Sequence, residues 1–126
     1  MLKLVEQKLP SGRIQLKSIE SFVSTCHVTR GKDETNLELS YVPGRVTIDV
    51  KKLEADLTSF EKEAIERGIP MEVIPIEVLK RCIEHCVNRR AGRYAAPEEL
   101  EIHSTSKGKA KDWQLNVNLK FEREIS

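Results

Sequence analysis

The most regular feature of the chain is a strict two-residue alternation near its end. Five large apolar side chains occupy every second position from Trp113 to Phe121, with Gln, Asn, Asn and Lys between them. A period of two places all five on one face of a β-strand. Other parts of the chain must cover that face, which predicts a sheet with one buried and one solvated side.

Other stretches also have the two-residue period. Residues 13–25 alternate and then change phase, which indicates a strand with a bulge or bend near Ser18. Residues 37–41 predict a second strand. After Pro43-Gly44 the alternation resumes over residues 46–50, so that the strand either continues beyond a kink or turns.

Two helices are predicted after these strands. Residues 51–67 have one apolar stripe, with Asp49 as the N-cap and Gly68 as the stop. A second helix is predicted over residues 75–88, with Pro75 at its first position. Its predicted buried stripe is Ile76, Leu79, Ile83, Cys86 and Val87. Glu84 is expected at the edge of that stripe, where its carboxylate can reach a cleft beside the core.

A third strand over residues 100–105 and a basic turn over residues 106–112 precede the terminal alternation. The order is therefore two strands, two helices and two strands. It predicts an α+β fold in which a four-stranded antiparallel sheet has both helices on one face. Residues 1–12 are expected to form an N-terminal arm, and residues 13–126 a single domain.

Composition limits the environment and the partners. The chain has 126 residues, 39% hydrophobic and 33% charged, with a formal net charge of +1. These values predict a folded protein in aqueous solution, with no membrane segment and no signal peptide. The three cysteines show no disulfide-scaffold spacing, which favours a reducing cytoplasm. Basic clusters at residues 89–93 and 107–111 either contact RNA phosphates or form solvated loops.

A thiol and a carboxylate flank the polar turn after the first predicted strand. Cys26 ends an apolar run, and Asp33 follows seven residues later. A thiolate is a nucleophile, and a nearby carboxyl group can move protons to and from its adduct. The alternative is a small buried hydrophobic residue beside an aspartate that stabilises a turn.

Two motifs resemble one enzyme family. Cys26-x-Val28-Thr29-x-x-x-Asp33 resembles the nucleophile loop of the 7-cyano-7-deazaguanine nitrile reductases, and residues 84–88 (EHCVN) resemble their second signature, Glu-x-Cys-Val-Asn. The similarity covers roughly residues 14–88. It implies the tunnelling fold (T-fold) in ββααββ order, whose subunits join edge to edge into an oligomeric barrel.

The resemblance also implies roles for individual residues. Cys26 attacks the nitrile carbon to form a thioimide, and Asp33 moves the protons. Glu84, with His85 beside it, binds the substrate, because a carboxylate can accept two parallel hydrogen bonds from a guanine-like base. The alternative for Glu84 is a solvated helix residue paired with Lys80 or Asn88.

The sequence departs from the reductases in their nicotinamide-cofactor motif. Residues 49–54 (DVKKLE) and 59–61 (SFE) occupy the corresponding stretch. Glu54 replaces an expected Lys and Glu61 an expected Arg, and two carboxylates repel a cofactor that carries phosphates. The histidine that precedes the anchoring glutamate in reductases is Ile83 here.

A sister group lacks that cofactor motif, namely the QueF-like archaeosine synthases. The first expectation is therefore an amidinotransferase without a cofactor, in which ammonia converts the nitrile on a tRNA-borne 7-cyano-7-deazaguanine to the amidine of archaeosine. One alternative is an NADPH-dependent nitrile reductase. Another is a non-catalytic purine- or RNA-binding T-fold module. No metal site is expected, since Cys82, His85 and Cys86 fit one helix better than a zinc site.

Overall fold

The protein has two helices and an antiparallel sheet. The computed structural model describes residues 2–25, 31–44, 47–86, 97–108 and 114–123. Its elements, in chain order, are β1 (Leu4–Lys8), β2 (Ile14–Ser18), β3 (Phe22–Thr25), β4 (Lys32–Val42), α1 (Val50–Arg67), α2 (Ile74–Cys86), β5 (Glu99–Gly108) and β6 (Gln114–Glu122). The six-stranded sheet has the order β1-β2-β4-β5-β6, and β3 pairs with β4. The predicted α+β class with an antiparallel sheet is confirmed, but the described sheet has six strands and not the predicted four, because four strands and not two precede the helices.

The long strand β4 is the centre of the sheet. It pairs with β2 and β3 on one side and with β5 on the other. Its odd-numbered residues from Asp33 to Tyr41 are buried, whereas its even-numbered residues are not. Helix α1 packs against β3 and β1, and α2 against β5 and β6. We call the buried, helix-covered side of the sheet the inner face.

The predicted bend near Ser18 separates two strands. Between Lys17 and Phe22 lie four residues, whereas only two lie between their partners Glu38 and Thr35 on β4. The extra residues interrupt the pairing. The hydroxyl of Ser18 then accepts a hydrogen bond from Leu37 N at 3.0 Å and lies 3.2 Å from Leu37 O, to which it can donate. A side chain thus satisfies the backbone groups that the missing strand partner leaves.

The first twelve residues, predicted as an arm, include a strand of the sheet. β1 pairs with the whole of β2, and Leu2 and Leu4 are buried. Helix α1 also holds this strand, because Glu54 Oε1 accepts a hydrogen bond from Leu4 N at 2.8 Å. The segment had no alternation that would indicate a strand, and its pairing with β2 and α1 provides the missing stabilisation.

The alternation over residues 46–50 does not form a strand in the described part of that segment, residues 47–50. Ile48 is buried, and its N–H donates to the hydroxyl of the buried Tyr41 at 3.2 Å. Asp49 caps α1 by accepting from Lys52 N, and the helix begins at Val50. The apolar side chains enter the core from a connection rather than from a strand.

The stripe predicted for α1 is confirmed, but the one predicted for α2 is out of phase. The buried residues of α2 are Ile74, Pro75, Val78, Cys82 and Cys86, whereas Ile76 is 43% exposed. Glu84 is two residues from both Cys82 and Cys86, about 200° around the helix from each. It lies on the exposed side of α2 and not at the edge of the core.

The terminal strand β6 confirms the alternation from which the sheet was predicted. Its apolar residues share one face and are half-buried, and α2 packs against this strand. They are Leu115, Val117, Leu119 and Phe121. Trp113, the first member of the pattern, lies outside the described residues, as do residues 109–112 of the predicted basic turn.

A substitution at Gly68 tests the explanation for the end of α1. The Gly68 φ of 64° lies in the left-handed region, and a Cβ there would meet no atom within 4 Å. Gly68→Ala is therefore expected to lower the free energy of unfolding by about 1 kcal/mol through backbone strain alone. Urea denaturation measures this loss. Gly68→Asn is the matched control and should lose clearly less, because asparagine tolerates this conformation; equal losses would contradict the explanation.

Candidate active site

Asp33 is a buried carboxyl group near the start of β4. Its residue is 4% exposed. Across the sheet, its partner on β3 is Ser24 and its partner on β5 is Gly108. Burial, and secondarily the negative charge of Glu72, raise the pKa of Asp33. Both effects favour the protonated acid, which can then donate a proton.

The predicted nucleophile Cys26 lies outside the described residues. The described chain approaches it at Ser24 and Thr25 of β3, and Thr25 pairs with Lys32, the neighbour of Asp33. The structure therefore positions the predicted acid beside the strand from which the cysteine follows in sequence.

A group of buried hydroxyls near Asp33 was not predicted from the sequence. Thr35 and Ser106 are both buried, and their hydroxyl oxygens are 2.7 Å apart. Ser24 and Ser104 are buried too, and neither hydroxyl has a hydrogen-bond partner in the part of the chain that the structure describes. The same inner face is apolar farther along β4 and β5. The sequence does contain a pattern that could have predicted their burial, because these hydroxyl residues continue the two-residue alternation of the buried apolar residues in the same phase.

Glu84 and His85, the predicted substrate-binding residues, differ in environment. Glu84 is exposed. His85 is half-buried, and its Nε2 lies 3.0 Å from Oδ2 of Asp56 on α1. Arg81 pairs with the other oxygen of Asp56, and its guanidinium lies 4.6 Å from the centre of the Phe60 ring. His85 thus takes part in joining α2 to α1.

Asp33 and Glu84 differ in their relation to α2. Glu72, which precedes the helix, acts electrostatically on Asp33. Glu84 is ten residues beyond the first helical residue, Ile74, a rise of about 15 Å along the axis.

Glu54 and Glu61 accept hydrogen bonds from the sheet. By resemblance, these are the positions at which the reductases carry cations. Glu54 accepts from Leu4 N, and Oε2 of Glu61 accepts from Val23 N at 2.8 Å. They are seven residues apart on α1, which places them two turns apart on the same side of the helix. Their carboxylates satisfy backbone amides of β1 and β3.

The two described cysteines belong to the core of α2. Cys82 and Cys86 are free thiols and are fully buried. Burial raises the pKa of both, that of Cys86 to about 11, which disfavours the thiolates that zinc binds. Among the described residues, no three His, Cys, Asp or Glu side chains are grouped as metal ligands.

Most of the basic residues predicted to contact RNA lie outside the described residues. Residues 89–93 lie outside the described ranges, and so do Lys109 and Lys111. Lys107 is exposed on β5.

Comparisons with known proteins add no assignment. No protein-family model matches the chain, and no curated protein is similar to it. Neither helix of the described chain is long and apolar enough to cross a membrane.

The raised pKa of Asp33 makes its contribution to stability depend on pH. The folded state favours the protonated acid, so its stabilisation is complete below the ordinary pKa of 3.8 and is lost as pH rises through the folded value. Asp33→Asn removes this titration. The variant should therefore be more stable than the wild type at about pH 7 but not at about pH 3.5. Urea denaturation at both pH values measures this difference, and a stability difference that is the same at both would contradict it.

The hydroxyl pair can be tested by removing one partner at a time. Thr35→Val leaves the buried Ser106 hydroxyl unpaired and should lower the free energy of unfolding by about 2 kcal/mol. Thr35→Val with Ser106→Ala should lose less than the sum of the single variants, because no unpaired group remains. Ser104→Ala is the control, since its hydroxyl has no partner to lose among the described residues. Additive losses in a denaturation cycle would contradict the pairing.

Proposed function

We propose that the protein is a cytoplasmic amidinotransferase that acts on 7-cyano-7-deazaguanine in tRNA. Cys26 forms a thioimide with the nitrile carbon, and ammonia releases the amidine of archaeosine. The observation that supports this proposal most directly is the buried Asp33, paired with β3 just before the cysteine in sequence.

A buried carboxyl group with a raised pKa suits the first step. When a thiolate adds to a nitrile, negative charge develops on the nitrogen, which must receive a proton. An ordinary aspartate is almost entirely ionised near neutral pH and has no proton to give. Burial and the charge of Glu72 increase the protonated fraction of Asp33. The thiolate of Cys26 supplies the electron pair, and Asp33 supplies the proton.

The environment of α1 favours transfer of nitrogen over reduction. Glu54 and Glu61 use their carboxylates on the amides of Leu4 and Val23. Cations at these positions could not accept those hydrogen bonds. The side of α1 that would face a nicotinamide cofactor by resemblance therefore carries negative groups bound to the sheet, and addition of ammonia requires no redox cofactor.

In this proposal the protein works as a homo-oligomer. Glu72, ahead of α2, acts electrostatically on Asp33, whereas Glu84 lies ten residues into the helix. We therefore propose that the glutamate that anchors the base at one Asp33 comes from a second copy. The exposed position of Glu84 leaves its carboxylate accessible to such a site. β1 and β6 end the order of the described strands and offer edges for pairing between copies.

Intact-mass analysis with the free base 7-cyano-7-deazaguanine tests the proposal. We expect an adduct heavier by the whole mass of the base, because addition to a nitrile expels no group. Cys26→Ala should form none. Asp33→Asn should form the adduct at least about 100-fold more slowly, which is the usual contribution of a general acid. Asp49→Asn is the matched control, since it keeps an N-cap at an exposed position and should react like the wild type.

The outcomes separate the alternatives. Release of the amidine on addition of ammonium supports the transferase, whereas consumption of NADPH with formation of an amine supports the reductase. Binding of the base without an adduct would exclude both enzymes and leave a purine-binding module.

A further inference from the structure

Ser24 is a buried residue whose hydroxyl has no partner among the described residues. It is 0% exposed. Buried hydroxyls are nearly always bonded to protein, water or a ligand. The Ser24 hydroxyl is therefore able to accept a hydrogen bond from a bound molecule.

The neighbours of Ser24 define what that molecule can be. Ser24 and Asp33 are directly opposed on adjacent strands, so their side chains leave the same face with Cβ atoms about 5 Å apart. On the other side, Asp33 faces Gly108, which has no side chain and is half-exposed. The carboxyl group therefore has a hydroxyl on one flank, and its strand partner on the other flank carries no side chain.

The charge around this position favours a small cation with hydrogen-bond donors. Asp33 carries a carboxyl group, and Glu72 adds a negative field. A hydroxyl and a carboxylate both accept hydrogen bonds, and ammonium has four N–H donors.

We propose that Ser24 and Asp33 bind the ammonium ion that supplies the transferred nitrogen. This inference rests on the proposed function and adds to it the site of the second substrate. Ser24 Oγ accepts one N–H bond and holds the ion, while the carboxylate of Asp33 accepts another and takes the proton.

The protons and electron pairs of the cycle then balance. Thiolate addition to the nitrile takes the proton of Asp33 and leaves a neutral thioimide beside a carboxylate. That carboxylate accepts a proton from ammonium and releases ammonia, whose lone pair bonds to the thioimide carbon. The carbon–sulfur bond breaks and its electron pair leaves with sulfur. The products are the amidinium ion, the thiolate and protonated Asp33, so that the starting state is restored.

Ammonium binding can be measured without any turnover. At a pH above the raised pKa of Asp33, where its carboxylate is ionised, the melting temperature of the wild type should be higher in ammonium chloride than in sodium chloride of equal ionic strength, because a bound ligand stabilises the folded state. Ser24→Ala should lose this difference. Ser104→Ala is a matched control, since it removes an equally buried hydroxyl that also has no described partner but that is not paired with Asp33. No difference in the wild type, or an equal loss in both variants, would overturn the site.

Kinetics provide the second readout. In Ser24→Ala, thioimide formation with the nitrile base should stay at the wild-type rate, while the KM for ammonium in amidine release rises about tenfold. Ser104→Ala should leave both values unchanged. An unchanged KM in Ser24→Ala would overturn the ammonium site but not the transferase, whereas the absence of any thioimide in the wild type would overturn the transferase while the melting experiment still decides ammonium binding.

Discussion

The structure depends on the burial of one complete face of β4. This strand is the only described one that pairs with three others, and every second side chain from Asp33 to Tyr41 is covered. At the Tyr41 end the covered side chains are apolar and pack with the helices. At the Asp33 end they are polar. The buried apolar side chains at the Tyr41 end of β4 supply hydrophobic free energy of folding. This stabilisation offsets the cost of burying polar groups at the Asp33 end.

Carboxylates are used in two ways around this sheet. Glu54 and Glu61 accept backbone hydrogen bonds and attach α1 to β1 and β3. Asp33 instead faces a burial penalty and a like charge, and both raise its pKa. A group that only stabilised the fold would be expected to have the opposite surroundings. Carboxyl groups with perturbed pKa values are concentrated at functional sites. The difference between Asp33 and the two glutamates is therefore the reason for placing Asp33 at the centre of the candidate site.

Sequence periodicity predicted where helices and strands form better than it predicted which elements pack against each other. The stripe of α1, its Asp49 cap and the Gly68 stop were all visible, because each depends on residues close in sequence. β1 was missed, since its stability comes from β2 and α1, which are distant in sequence. The phase of α2 was wrong because two sets of apolar residues fit a helical period equally well, and only packing selects one.

The site shows the same limit in chemical terms. Asp33 was found from its spacing to a cysteine, but nothing in the local sequence shows that its carboxyl group is buried. Ser24 appeared as an ordinary polar residue of a strand, Thr35 lay outside the predicted strands and Ser106 in a predicted turn. Their burial depends on which face α1 and α2 cover. A search for polar residues that continue an apolar alternation in phase would have found them.

The separation of Asp33 and Glu84 bears on how the proposed reaction is organised. Glu84 was predicted to act in the same site, and yet it lies ten residues into α2, whereas Glu72, which acts electrostatically on Asp33, precedes that helix. A base held at its guanine-like edge by one copy can present its nitrile to the acid of another. The chemistry at Asp33 would then depend on neighbouring copies for substrate, whereas the Ser24–Asp33 pair that we propose to bind ammonium lies within a single sheet. In this proposal ammonium would be bound by residues of one subunit, whereas the tRNA-borne base would be bound by residues of two subunits.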